Sequence, residues 1–219
     1  MRSDKQWRKN RGTEQRNRTE MIPYLQNTME ETFQCICREV QAALDTDACR
    51  IWHGFRDAVC ECLEAAGALQ RQRQKGSLKY LAFSMMQHAL WLDRLELRID
   101  ALDDTFYLDT AEASAYYRAD FLQDRFRKDL ECLYEKARSR FIRIQNNELV
   151  RLRQAYAEYY YSLLFCMTES LTGLIRETVA GSGIETADGF RIICGGYMDK
   201  AVVLYKEEAE DEILSDRDG

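Results

Sequence analysis

Proline is almost missing from this chain. One proline and eleven glycines in 219 residues leave few natural breaks. That argues against a turn-rich β-sandwich and for long helices. Also missing is any run of about 18 apolar residues, so no segment is expected to span a membrane. The nearest approach, Tyr80 to Leu92, is shorter and holds Gln87 and His88. Arg2 to Glu20 has no apolar stretch of the kind a signal peptide needs. The expected location is therefore cytoplasmic.

The residues of common active sites are equally scarce. There are two histidines. Neither follows a glutamate by three positions, where Arg50 and Met85 stand, so the Glu-x-x-His pairs of di-iron bundles are missing. There is no His-Glu-x-x-His, no Walker loop and no Gly-x-Ser-x-Gly elbow. Gly181-Ser182-Gly183 follows a helical pattern rather than a strand. Cys35 and Cys37, and Cys60 and Cys62, are spaced like zinc ligands, but both pairs fall inside helical patterns. Side chains two apart on a helix point about 200° away from each other and cannot share one metal. No metal, no cofactor and no catalytic residue is expected. The eight cysteines read as reduced, buried small hydrophobes, since the disulfide inference belongs to small secreted chains.

What the chain does have is apolar content and tyrosine. Hydrophobic residues make up 46%, enough for one domain with a real core. Net charge is −6 and uneven. Residues 1–20 hold seven basic and three acidic side chains, and residues 206–219 hold two basic and seven acidic. Residues 1–19 and 206–219 read as solvated, disordered tails flanking a single helical domain over 20–205. The overall acidity argues against a nucleic-acid partner.

Periodicity predicts a mainly α protein: a helical bundle around a long central helix over 147–178. Helices are expected from Pro23 to Asp45 and from Asp47 to Lys75, joined as a hairpin, then over Leu78–Leu92, from Asp109 to Arg118, and from Asp120 to Gln145. Between them, Leu95, Leu97, Ile99 and Ala101 alternate with Glu96, Arg98 and Asp100. That two-residue repeat predicts a small β-hairpin over 95–108. Continuation of the third helix to Leu102 is the competing reading. A second short hairpin is expected near 190–205, around Gly195-Gly196.

Two polar groups are candidate binding residues. The alternating strand would show Arg98 and Asp100 on one side, with Tyr107 and Asp109 after it; Tyr197, Asp199 and Lys200 follow the double glycine. The tyrosine-rich stretch 156–161 must turn at least one hydroxyl, here taken as Tyr160, inward to a partner. Internal salt bridges and satisfied core hydroxyls are the plainer accounts of the same residues. The functional expectation is a protein–protein interaction or scaffold domain, with a protein partner or a homo-oligomer. A small-ligand binder or enzyme with a pocket between 95–108 and the tyrosine helix ranks second. A nucleic-acid accessory factor using the basic arm ranks third.

Overall fold

The computed structural model describes residues 3–86, 94–141 and 143–208; within helices, the side chains of 3–19, 43–52 and 107 lie outside the description. The chain gathers into two compact units, Met1–Asp45 with Asp120–Tyr161, and Thr46–Ala119 with Ser162–Gly219. Two helices, α1 (Ser3–Arg71) and α3 (Asn146–Ser170), run from one unit into the other.

The first unit is helical. The early part of α1 lies beside α2 (Asp120–Arg140), tied by Arg125 Nη1 to Glu39 at 2.7 Å and by Lys136 Nζ to Thr28 Oγ1 at 2.9 Å. Buried positions on α1 recur at threes and fours: Met21, Leu25, Met29, Ile36 and Val40. They form one apolar stripe, as an amphipathic helix requires. α2 presents Leu122, Phe126, Leu130, Leu133 and Ala137. A short turn, with Arg143 at a φ of 60°, sends α3 back along α2. Tyr134 then donates to the Leu149 carbonyl at 3.4 Å.

The second unit overturns the expectation of a mainly α bundle, because its centre is a five-stranded mixed sheet of order β3-β2-β1-β4-β5. The strands are β1 (Leu78–Met85), β2 (Glu96–Leu102), β3 (Ser114–Arg118), β4 (Thr186–Gly196) and β5 (Ala201–Lys206). β1 pairs parallel with β4 and antiparallel with β2. The stretch expected to be a third helix is thus the middle strand. Its run Leu81-Ala82-Phe83-Ser84 is buried throughout, and a short apolar run covered on both faces has no period to betray it.

The expected hairpin over 95–108 is also corrected. β2 is where the alternation placed it, but Phe106–Leu108 is a 3-10 turn, and the partners of β2 are β1 and β3. β3 lies where a helix opening at Asp109 was expected. Asp109 is instead a turn residue, accepting from the Ala111 N–H at 2.9 Å. The central helix over 147–178 is two helices: α3 ends at Ser170, and α4 spans Thr172–Ser182. The helical pair expected around Asp45–Asp47 is the single helix α1; the side chains expected to cap and pack there, Asp47 and Ile51, lie outside the described residues, as do His88 and the acidic stretch beyond Glu208. β4 and β5 do turn back on each other near 190–205, as members of the sheet rather than as an appendage.

Helices cover one face of this sheet. Phe55 of α1 stacks on Phe83 of β1 at 5.5 Å and meets Tyr117 of β3 edge-on at 5.0 Å. The Cys62 thiol sits against the Ile99 and Ala113 carbonyls at 3.5 and 3.4 Å. Leu81, Leu97, Ile99, Ala101, Ile192 and Cys194 fill the same layer. Among the described residues no helix is long and apolar enough to cross a membrane, and Cys35, Cys37, Cys60, Cys62, Cys132, Cys166 and Cys194 form no disulfide with one another.

Candidate functional site

The other face of the sheet carries the polar residues that the alternation of β2 singled out. Arg98, Asp100 and Leu102 share this face, because successive strand residues point to opposite sides. Strand register sets Tyr116 and Ser84 beside Arg98, and Ser114 and Ala82 beside Asp100.

Arg98 is held on every side. Its Nε bonds both Asp100 oxygens at 2.8 and 3.0 Å, Nη2 bonds Glu112 at 2.6 Å, and Nη1 reaches the Tyr116 hydroxyl at 3.4 Å. The Tyr197 ring lies 5.0 Å from the guanidinium carbon and the Tyr116 ring 5.9 Å. Each of the three nitrogens is engaged, so the group acts as a clamp. It joins β2 to β3, to the loop before β3 and to the turn after β4. Charge-assisted and cation–π contacts of this kind are worth most when desolvated. Asp100 is 3% exposed. Burial lifts its carboxyl above the ordinary carboxylate range, and the hydrogen bond and charge of Arg98 only partly offset that.

A second buried pair fixes the same loop. The Lys75 and Asp109 side chains are 0% and 2% exposed and bridge each other directly. Lys75 also donates to the Ala111 carbonyl at 2.8 Å, and Asp109 accepts from the Asp103 N–H at 3.3 Å. Removing one partner would strand a buried charge, a loss of about 3–5 kcal/mol.

The sequence-derived residues thus separate. Arg98, Asp100 and Tyr197 come together, with Asp109 in the neighbouring pair. Asp199 and Lys200 are exposed in the β4–β5 turn, where the Asp199 carboxylate accepts from the Lys200 N–H at 2.7 Å. The Tyr107 side chain lies outside the described residues. Tyr160 belongs to the first unit. There it and Tyr156 donate to the same oxygen of Asp129, at 2.8 and 3.0 Å, while Arg125 holds the other oxygen at 3.0 Å. Burial, and then the Asp129 charge on Tyr156 and the neighbouring phenol on Tyr160, push both hydroxyls well above their ordinary range. The residues that sequence reasoning missed are Lys75, Glu112 and Tyr116. Lys75 sits in a polar run with no pattern, and the other two depend on β2–β3 pairing.

Two openings flank α4 within the second unit. One, of about 1060 Å³, lies between the last turns of α1 and α4; its lining includes Arg56, Cys60, Glu64, Gln70 and Glu177. The Gln70 amide closes one end, donating to the Gly76 and Glu185 carbonyls and accepting from the Glu185 N–H. Charges of both signs line this cleft, so it selects no single ligand charge. The other, of about 610 Å³, runs past Arg176 and Tyr205, which stack at 4.0 Å. Among the described residues no group of three or more His, Cys, Asp or Glu side chains is placed to hold a metal.

The outer strand β5 is the least covered element of the sheet. Val202 and Val203 are 56% and 49% exposed, and Met198 in the preceding turn 62%. The turn itself depends on Gly195, where a Cβ would stand 2.2 Å from the Lys200 carbonyl oxygen. Comparison with protein-family models, with curated proteins and with solved structures finds no match.

Proposed function

We propose that this protein is a protein-interaction domain that accepts an extended segment of a partner protein alongside β5. The observation that carries this reading is the exposure of Val202 and Val203 on an outer strand, with Met198 at the turn beside them. Neighbouring residues of a strand face opposite sides, so exposure of both valines leaves both faces of β5 open. An outer strand also offers unpaired N–H and C=O groups, and folded proteins ordinarily blunt such an edge or use it. Strand addition satisfies those groups, while apolar side chains supply specificity. A bulge that leaves Leu204 unmatched against β4 confines the regular template to Ala201–Val203 and the turn before it. A short partner segment is therefore the fit.

A photo-crosslinking residue placed at Val203 in the cells that make the protein is expected to give discrete adducts. The same residue at Glu131, exposed on α2, is expected to give none of them, and Val202→Lys is expected to suppress the Val203 adducts. In the isolated complex, the amides of Ala201–Val203 should gain protection from hydrogen exchange. Adducts shared equally with position 131, or protection confined to other segments, would overturn the reading.

A further inference from the structure

The second face of the sheet carries a small apolar cluster separate from the helix-covered layer. Ala82, Leu102 and Ile193 are buried there, with Tyr80 and Phe106 packed against them. Register explains the grouping. Leu102, Tyr80 and Arg191 stand side by side across β2, β1 and β4, and Asp100, Ala82 and Ile193 form the next row.

Three features of this patch belong together. Among the described residues the ring that covers it is Phe106, which meets Tyr80 edge-on at 4.8 Å. Phe106 holds a φ of 57°, a left-handed conformation that bulky residues rarely take. The turn is kept there by neighbours: Asp103 accepts from the Thr105 N–H at 2.9 Å, and the Lys75–Asp109 pair anchors its far side. The third feature is Arg191. Its guanidinium lies 5.9 Å from the Tyr80 ring, and its buried Nε has no acceptor among the described residues. A buried donor without an acceptor is unfavourable and calls for a partner. Lys206 of β5 is paired with Arg191 in strand register, so a second cationic residue is its neighbour on the same face of the sheet.

We infer that this face is a binding site for a small planar aromatic anion, and that Phe106 occupies it as a stand-in. The ligand ring takes the place of the Phe106 ring on Tyr80, over Ala82 and Ile193. Its carboxylate or sulfonate accepts from Arg191 Nε and is attracted by Lys206. Phe106 swings out with its turn and leaves the left-handed conformation. The charge of Asp100 does not oppose the anion strongly, because Arg98 holds that carboxylate at 2.8 and 3.0 Å.

The test uses the whole chain, with 1-naphthoate as the probe and 1-naphthylmethanol as its uncharged counterpart. Phe106→Gly removes the ring while suiting the positive φ. A site blocked by its own side chain loses apparent affinity in proportion to the time it is closed, so this variant is expected to bind 1-naphthoate at least about tenfold tighter than the unmodified protein. Arg191→Gln is expected to weaken 1-naphthoate by about tenfold or more in either background, and to leave 1-naphthylmethanol unchanged. If Phe106→Gly does not melt cooperatively, the Arg191→Gln comparison in the unmodified protein decides. Equal affinity before and after Arg191→Gln, binding that does not saturate, or no gain in a folded Phe106→Gly protein would overturn the inference.

Discussion

Cysteine chemistry in this protein is decided residue by residue. Burial raises the Cys62 thiol to about 12, helped by the charge of Asp100, and burial likewise raises Cys194 to about 12. The reactive species is the thiolate. An ordinary thiol at 9.0 therefore offers roughly a thousandfold more of it at any lower pH, each unit being a factor of ten. At pH 8, iodoacetamide is expected to label the exposed Cys35, Cys132 and Cys166 while Cys62 and Cys194 stay free. Peptide mass spectrometry checks this, and labelling of Cys62 at the rate of Cys132 would contradict it. The same shifts fix a pH dependence. The folded state keeps these two protons where the unfolded chain has begun to release them, so their contribution is whole below about 9 and is lost as pH climbs towards about 12. The tyrosines teach a related lesson. Their density signalled buried hydroxyls that need acceptors, and the sequence carried that much. That the acceptor is Asp129 follows from how α2 lies against α3, which no local pattern encodes.

At the scale of elements, local pattern and tertiary pairing diverged in an orderly way. β2 was legible because one of its faces is polar and the other apolar. β1 was not, because it lies between β2 and β4 and is buried on both sides, and Leu, Ala and Met suit a helix as readily as a strand. β3 was hidden by Asp109 and Glu112, which imitate a helix cap but bind Lys75 and Arg98. Asp45 and Asp47 resembled a break, yet neither residue forbids a helix, and α1 runs through them. The β4–β5 turn was legible from its two glycines, and they are not equivalent. A Cβ at Gly195 meets backbone, at 2.2 Å from the Lys200 oxygen and 2.7 Å from the Ala201 Cα, whereas at Gly196 it meets only the Asp199 side chain, at 3.1 Å. Gly195→Ala is therefore expected to destabilise the protein by about 1–3 kcal/mol or more, and Gly196→Ala by much less. Urea unfolding midpoints measure both, and equal midpoints for the two variants would contradict this account of the turn.

At the scale of the whole molecule, the helix-rich composition concealed a sheet. The helices α2 and α3 intervene in the chain between β3 and β4, so the strands that complete the sheet are distant in sequence from β1. The candidate surfaces inherit that dependence. The open β5 edge exists only because β4 joins β1, and Arg191 lies beside Tyr80 only through the same parallel pairing. Arg98 and Asp100 were visible as a pair two residues apart, but Glu112, Tyr116 and Tyr197 reach them through strands no periodicity could place. Everything proposed for this protein thus rests on β1 pairing with β2 on one side and β4 on the other. Backbone nuclear Overhauser contacts measured on the full chain test that most directly. The account predicts cross-strand contacts from Ala82 to the neighbourhoods of both Asp100 and Ile193. Contacts between residues three apart along 78–85, with none to β4, would contradict it.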